Sequence, residues 1–265
     1  MREDVQARFG PVAANYARSA FHADPARLEE VIELAQPRPQ DVALDVATGT
    51  GNTAFALAPH LRSVIGLDMT REMLEQARSL ASERGVANVE WLRADACRLP
   101  FGDGVFDLYT VRAAPHHFHD LDAALAEAAR VLRPGGRACF VDCAPPAAAR
   151  DHLHAIEVAR DPSHVLSLTL EEWTERLEAA GLRVESARRR ALEWDFENWM
   201  ANMAVAPEQV ASLANEIESA TGEARAELGA VRRDGRLFHT YWHALIRARR
   251  AEPPRSGQPS RDRES

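Results

Sequence analysis

The chain contains no lysine, so all 32 of its basic residues are arginine. That absence removes Schiff-base and pyridoxal-phosphate chemistry and the phosphate-gripping lysine of P-loop proteins. Cysteine is scarce too. Cys97, Cys139 and Cys143 are too few for a disulfide framework, and their odd number points to free thiols. Cys139 and Cys143 fall in an expected strand, where four residues at about 3.3 Å each set them roughly 13 Å apart, so they are not expected to share a metal ion. No metal site is expected. No run of about 18 apolar residues occurs to span a bilayer, and the first residues, Met1-Arg2-Glu3-Asp4, carry no apolar signal stretch. A cytoplasmic protein without a membrane partner is therefore expected. Positive charge is in deficit as well: 40 acidic residues give a net charge of -8 and a pI near 5.7, which does not recruit a nucleic acid.

What is present is an ordinary globular balance, 265 residues with 46% hydrophobic content, enough for one large domain with or without a cap. Short apolar runs alternate with helical periods, the pattern of repeated β-α-β units and a parallel sheet. The runs are Val42–Ala47, Ser63–Leu67 ending at Asp68, Val89–Leu92 running to Asp95, Phe106–Val111 and Ala138–Cys143. Thr70 stands as an N-cap before Met73, Leu74, Ala77, Leu80 and Ala81 at helical spacing, and Gly85 closes that helix. Another helix is expected from about Leu121 to Leu132, stopped by Arg133-Pro134-Gly135-Gly136. Thr169-Leu170-Glu171-Glu172 is a capping box opening a helix that Gly181 ends. A sixth strand starts at Leu182, and Leu237–Ile246 reads as a last strand, open to an antiparallel partner. The expected plan is a helical cap or lid over 1–40, an α/β core over 41–195, a helical insertion over 196–235, the last strand over 236–251 and a disordered tail over 252–265, rich in Pro, Ser, Arg and Gly.

Gly49-Thr50-Gly51-Asn52-Thr53-Ala54 fits the G-x-G-x-x-G/A turn, and Asp68 follows Gly49 by 19 residues. Alone, that pattern also permits a nicotinamide dinucleotide. The surrounding acids separate the two. Asp45 ends the first strand and would face the turn's ligand, where two like charges about 4 Å apart at an effective dielectric of 20 repel by about 4 kcal/mol. A pyrophosphate is disfavoured there, whereas the ammonium and sulfonium of S-adenosylmethionine would be attracted. Asp95, ending the third strand, is placed to accept from an adenine amino group while Asp68 takes both ribose hydroxyls. The alternative for Asp45 and Asp68 is an acid that merely caps a helix.

Leu44-Asp45-Val46-Ala47-Thr48-Gly49-Thr50-Gly51, Val64-Ile65-Gly66-Leu67-Asp68-Met69, Asp95 followed by Leu99-Pro100-Phe101, Phe106-Asp107, and Glu127-Ala128-Ala129-Arg130-Val131-Leu132-Arg133-Pro134-Gly135-Gly136 occur in that order. Over roughly residues 40 to 145 the chain thus resembles the class I S-adenosylmethionine-dependent methyltransferases, especially the broad branch containing the ubiquinone/menaquinone C-methyltransferases. The resemblance implies a doubly wound, mostly parallel seven-stranded α/β sheet of Rossmann-like form with helical caps, and S-adenosylmethionine as cofactor. It implies that Asp45, Ala47, Gly49 and Gly51 line the methionine side, Asp68 and Met69 the ribose and adenine, and Asp95 and Ala96 the adenine edge. Arg112, at the end of the fourth strand, is counted with these cofactor residues. Family members often place an N-terminal aromatic over the cofactor, and Ala13-Ala14-Asn15-Tyr16 is similar to that element; core packing is the alternative for Tyr16. The first 40 residues and those after about 190 lie outside the resemblance.

Methyl transfer from a sulfonium is an in-line displacement, for which the protein supplies alignment and a shaped, water-poor site. Val111–His119 follows the fourth strand at the carboxyl edge of the sheet and is the expected acceptor site. His116 and His117 are the candidate catalytic bases, because a neutral imidazole with a pKa near 6.5 can take a proton at pH 7. A structural hydrogen-bonding role stays open for them, as does a metal site with His119 that lacks an obvious fourth ligand. His22 in the N-terminal cap is a further candidate for the pocket. Trp194, Phe196, Trp199, Met200 and Met203 either line an apolar pocket or pack on the sheet. The expected activity is methylation of a small-molecule acceptor, whose identity, like the oligomeric state, the pattern does not set. Two alternatives remain: a methyltransferase-like scaffold or cyclase, and an NAD-dependent oxidoreductase.

Overall fold

The computed structural model describes residues 6–7, 9–10 and 23–252. Tyr16 and His22 lie outside the described residues. Helix α1 (Pro25–Ala35) starts at Asp24, whose side chain accepts from the Ala26 N–H, with Pro25 in the first turn where an N–H would have no helical partner anyway. Strand β1 (Val42–Val46) buries four of its five residues, as a strand covered on both faces must. Then follow α2 (Asn52–Leu57), β2 (Ser63–Asp68), α3 (Arg71–Arg84), β3 (Val89–Arg93), β4 (Phe106–Arg112), α4 (Leu121–Val131) and β5 (Leu132–Cys143). The remainder is α5 (Ala147–Arg160), α6 (Leu170–Ala179), β6 (Leu182–Asp195), α7 (Phe196–Ala201), α8 (Pro207–Glu218), α9 (Gly222–Leu228), β7 (Val231–Arg233) and β8 (Arg236–Arg250).

The sheet runs β3-β2-β1-β4-β5-β8-β6, with the short β7 paired to β8. β3, β2, β1, β4 and β5 are parallel neighbours, while β8 is antiparallel to both β5 and β6. This is the doubly wound, Rossmann-like sheet of the resemblance: seven strands form the continuous path and β7 is a hairpin addition. The chain moves outward from β1 to β3 and then returns past β1 to β4. Such a reversal opens a crevice beyond the carboxyl ends of β1 and β4, where ligands of these sheets bind.

Alternation along the strands divides the core into two faces. Leu44, Tyr109 and Phe140 point to a cluster with Leu125 and Ala128 of α4 and Trp173 and Leu177 of α6. Ala43, Leu108 and Val141 point to another with Val31 and Leu34 of α1 and Ala54 and Leu57 of α2. A third cluster joins α5, α7, α8 and α9 to Leu237 and Tyr241 of β8; it is the platform for the second cavity described below.

The structure departs from the sequence reading at several boundaries. Within the expected cap over 1–40, α1 puts Val31, Leu34 and Ala35 into the sheet core, so it belongs to the body of the fold. β5 begins at Leu132 rather than Ala138, because Leu132 already pairs with Phe106 before a register shift that resumes at Leu108 and Arg137. The expected helical insertion over 196–235 ends in strand β7, whose Val231 pairs with Phe238. Thr70 stands at the N-cap position but makes no side-chain cap; its own N–H donates to Asp68 instead. The capping box of Thr169 and Glu172 and the left-handed Gly85 stand as the residue types dictate.

Candidate active site

Asp45, Asp68 and Asp95, at or just after the ends of three parallel strands, line one cleft of about 1090 Å³, its open mouth included. Asp45 is 1% exposed. Its Oδ2 accepts from the Thr48 hydroxyl at 2.6 Å and its Oδ1 from the Thr110 hydroxyl at 2.7 Å. Burial pushes this carboxyl up to about 6, while the two hydroxyls and the Arg112 charge pull the other way; it is mostly anionic at neutral pH. Asp68 ties two walls together, Oδ2 accepting from the Gly49 N–H and Oδ1 from the Thr70 N–H, both at 2.8 Å. Burial raises its pKa against these hydrogen bonds. Its carboxylate lines the cleft, where it is placed to accept from a ligand. The Asp95 Oδ1 accepts from the Cys97 N–H at 3.0 Å, turning the chain so that Ala96 also lines the cleft.

Ala47, Gly49, Met69 and Arg112 line the same cleft. Ala47 and Gly49 both sit at positive φ, 51° and 55°, and no protein atom lies within 4 Å of where a Cβ on Gly49 would stand. Bare backbone thus faces the cleft. Gly51 does not line it: a Cβ there would lie 2.5 Å from the Trp91 ring, so this glycine lets the turn close against β3. Arg112 donates through Nε to the Thr53 hydroxyl at 3.1 Å; burial lowers its pKa and Asp45 raises it. It is the one guanidinium among the described residues lining the cleft. Three carboxylates against one guanidinium fit S-adenosylmethionine, with its ammonium and sulfonium, and not a pyrophosphate.

Beyond β4, Ala113 at φ 52° turns the chain into a 3-10 turn, Pro115–His117. Asp142 of β5 fixes this turn twice, Oδ2 accepting from the His116 N–H at 2.8 Å and Oδ1 bonding His116 Nδ1 at 2.5 Å. Burial would lower the His116 pKa, but the charge and hydrogen bond of Asp142 outweigh it and the net shift is upward. Burial acts on Asp142 in the raising sense, and His116 overrides it to hold the carboxyl low. His117 differs. Its Nδ1 lies 3.1 Å from both the carbonyl and the hydroxyl of Ser163, and since a carbonyl only accepts, Nδ1 carries the proton. Burial and the neighbouring His116 push His117 down to about 3, leaving it neutral.

On the far side of this turn lies a second cavity of about 1410 Å³, part of it open to solvent. Phe9, Ala113 and His117 line both spaces, and Phe9 packs edge-on against His117 with ring centroids 5.1 Å apart. Trp194, stacked on Tyr241 at 3.9 Å, and Trp199 form an aromatic wall. Met203 joins them, whereas Phe196 and Met200 are fully buried in the third core cluster. Glu157, 3% exposed, accepts from the Tyr241 hydroxyl and pairs with Arg160 at 2.9 Å. Burial works to raise its pKa, but Arg160 and His164 hold it at about 2.

His116, Asp142 and Cys143 bring donor atoms within 4.8 Å of one another. The Cys143 thiol is fully buried and its pKa is pushed well up by that burial, which works against a metal-binding thiolate there. Sequence reasoning missed Asp142 and Glu157. Asp142 carried a usable signal, an acid near the carboxyl end of an apolar run, the same mark that exposed Asp45 and Asp68.

Comparison with known proteins bears on this geometry directly. Residues 44–140 match the Methyltransferase domain family. An uncharacterized methyltransferase, YcgJ of Bacillus subtilis, is 34% identical over 82% of this chain and 87% of its own. Its crystal structure superposes with a TM-score of 0.81, covering 86% of this chain and 99% of that one. Demethylmenaquinone methyltransferase of Thermus thermophilus is 40% identical over 48% of this chain and 58% of its own. With that identity and that common fold extending over most of both chains, the protein is a member of the class I S-adenosylmethionine-dependent methyltransferases.

Proposed function

We propose that the protein transfers a methyl group from S-adenosylmethionine, bound in the glycine-turn cleft, to a small molecule seated in the adjoining cavity. The observation that carries this reading is the shared wall: two spaces of ligand size meet at Phe9, Ala113 and His117. When bound, S-adenosylmethionine supplies a methyl carbon on a sulfonium leaving group. Asp68 holds the ribose hydroxyls and Asp95 with Ala96 the adenine edge, while Asp45 and Arg112 offer opposite charges to the ammonium and carboxylate of the methionine end. Ala47 and Gly49 would line the methionine end beside Asp45. Phe9 and His117 narrow that junction and keep water out, which in-line transfer requires. His116 and His117 are the candidate proton acceptors.

A small acceptor is supported by relatives such as the demethylmenaquinone methyltransferase and by a cavity of ligand size lined by aromatic and acidic side chains rather than a basic surface. No described helix is long and apolar enough to cross a membrane. The acid excess and free thiols support a cytoplasmic protein without a nucleic-acid partner. Incubating the chain with methyl-labelled S-adenosylmethionine and a metabolite panel tests the reading: label is expected in a low-molecular-weight product, with equimolar S-adenosylhomocysteine. Label found only in protein or nucleic acid would contradict it.

A further inference from the structure

Resting on that reading, we propose that His116 is the general base of the transfer, positioned by Asp142, and that the acceptor is a phenol or enol whose hydroxyl it deprotonates and whose oxygen is methylated. Of the two candidate histidines, His116 lines the acceptor cavity and not the cofactor cleft. Its Nδ1 is committed to Asp142 at 2.5 Å, and the same carboxylate holds its backbone N–H. This clamp fixes the ring and leaves Nε2 for the acceptor. Asp142 is 2% exposed and each of its oxygens is engaged by His116; it acts through His116 and is a positioning residue. His117 keeps its Nδ1 on Ser163 and serves as a wall.

The cavity's charges select the acceptor class. Asp24 is paired with Arg27 at 3.2 Å, Glu157 with Arg160 at 2.9 Å, Glu193 with Arg233 at 2.6 Å, Asp195 with Arg236 and Asp142 with His116, while Asp161 accepts from the Ser163 hydroxyl at 2.7 Å. Carboxylates matched in this way are not arranged to hold an ammonium. The stacked Trp194 and Tyr241 and the edge-on Trp199 suit a flat ring. A hydroxyl on such a ring has a pKa near 10 and needs a base to become a nucleophile at neutral pH, whereas a thioether or tertiary amine needs none.

The hydroxyl proton passes to His116 Nε2, and the oxygen's electron pair forms the bond to the methyl carbon as the methyl–sulfur bond breaks, its pair staying on sulfur. The positive charge lost at sulfur is regained as an imidazolium beside the Asp142 carboxylate, and the proton then leaves to solvent. The groups facing His116 are Asp142 and Cys143 on β5, Glu157 and Arg160 on α5, Asp161 and His164 beyond α5, His117 on its own turn and His243 on β8. The three carboxylates raise its pKa, Asp142 most among them.

Nitrogen-15 NMR of histidine-labelled full-length protein reads the dyad without any acceptor. Neutral His116 is expected with its proton on Nδ1 and a pKa above 6.5, falling by about one unit or more in Asp142→Asn. A proton on Nε2, or a pKa unmoved by Asp142→Asn, would overturn the positioning role. Transfer to catechol and to hydroquinone is expected to fall by about 10² or more in His116→Gln, with S-adenosylmethionine affinity changed less than about threefold. The acidic limb of the wild-type rate is expected to shift to lower pH in Asp142→Asn. Undiminished transfer in His116→Gln rejects the base, and a wild type that methylates neither probe rejects the acceptor class. Should His116→Gln fail to fold, the wild-type titration and the Asp142→Asn profile still decide. Failure of the wild type to bind S-adenosylmethionine would instead remove the methyltransferase reading beneath the dyad.

Discussion

Asp68 commits one oxygen to the glycine turn and the other to the start of α3, so replacing it acts on the fold and on the ligand together. Asp68→Ala leaves two largely buried N–H groups without an acceptor, at about 1–3 kcal/mol for each that water does not reach. It also removes the ribose contact, so S-adenosylmethionine binding should weaken by roughly tenfold to a thousandfold. Calorimetric melting and a dissociation constant on the same variant check both effects; a destabilised protein of unchanged affinity would make Asp68 a brace alone. Asp45 yields a pH prediction. Its carboxyl is raised to about 6 by burial, so its contribution to stability is present below the unfolded value near 3.9 and is lost as pH rises through about 6. Asp45→Asn should therefore melt at an equal or higher temperature than wild type at pH 8 while binding S-adenosylmethionine more weakly. In the wild type, affinity should fall as pH drops through about 6, and in Asp45→Asn that dependence should vanish. Affinity flat across this range in the wild type would show that the carboxylate does not meet the ligand's positive charge. These acids could be found in the sequence because each ends an apolar run. The His116–Asp142 pair could not, since its partners are 26 positions apart and only the adjacency of β4 and β5 brings them together.

Among the elements, β2 and the turn after β1 are shaped around one indole. A Cβ on Gly66 would lie 2.5 Å from the Trp91 ring, as would one on Gly51. Gly66 is thus a packing requirement of β2, and Gly66→Ala should destabilise by about 1–3 kcal/mol through overpacking. Urea denaturation measures this, and adding Trp91→Leu should recover much of the loss; no recovery would assign the cost to something other than the indole. The alternating strands and helices of the central region were legible because their apolar periods are distinct. Helix α5 was not read: its Ala149, Leu153 and Ile156 recur at helical spacing, but they sit in an alanine-rich, charged stretch where no cap announces the start. The early start of β5 and the hairpin strand β7 are set by pairing partners, Phe106 and Phe238, that no local signal names.

At the scale of the molecule, the reversal of strand order between β1 and β4 places the cofactor cleft, and the third helical cluster carries the aromatic wall of the acceptor cavity. The first was visible in the sequence through its glycine turn and acids. The second was legible only in part: Trp194, Trp199 and Met203 stood as pocket candidates, but Tyr241 of β8 and Glu157 of α5 join them only in the folded chain. Occupation of the cleft should stabilise the whole fold by about 2.7 kcal/mol at a ligand concentration one hundred times the dissociation constant. Calorimetric titration of the full chain with S-adenosylmethionine and, separately, with NAD tests the identity of that ligand most directly. One site for S-adenosylmethionine or S-adenosylhomocysteine in the micromolar range or tighter, with no heat from NAD, is the expected result; measurable NAD binding with none of the sulfonium would contradict it.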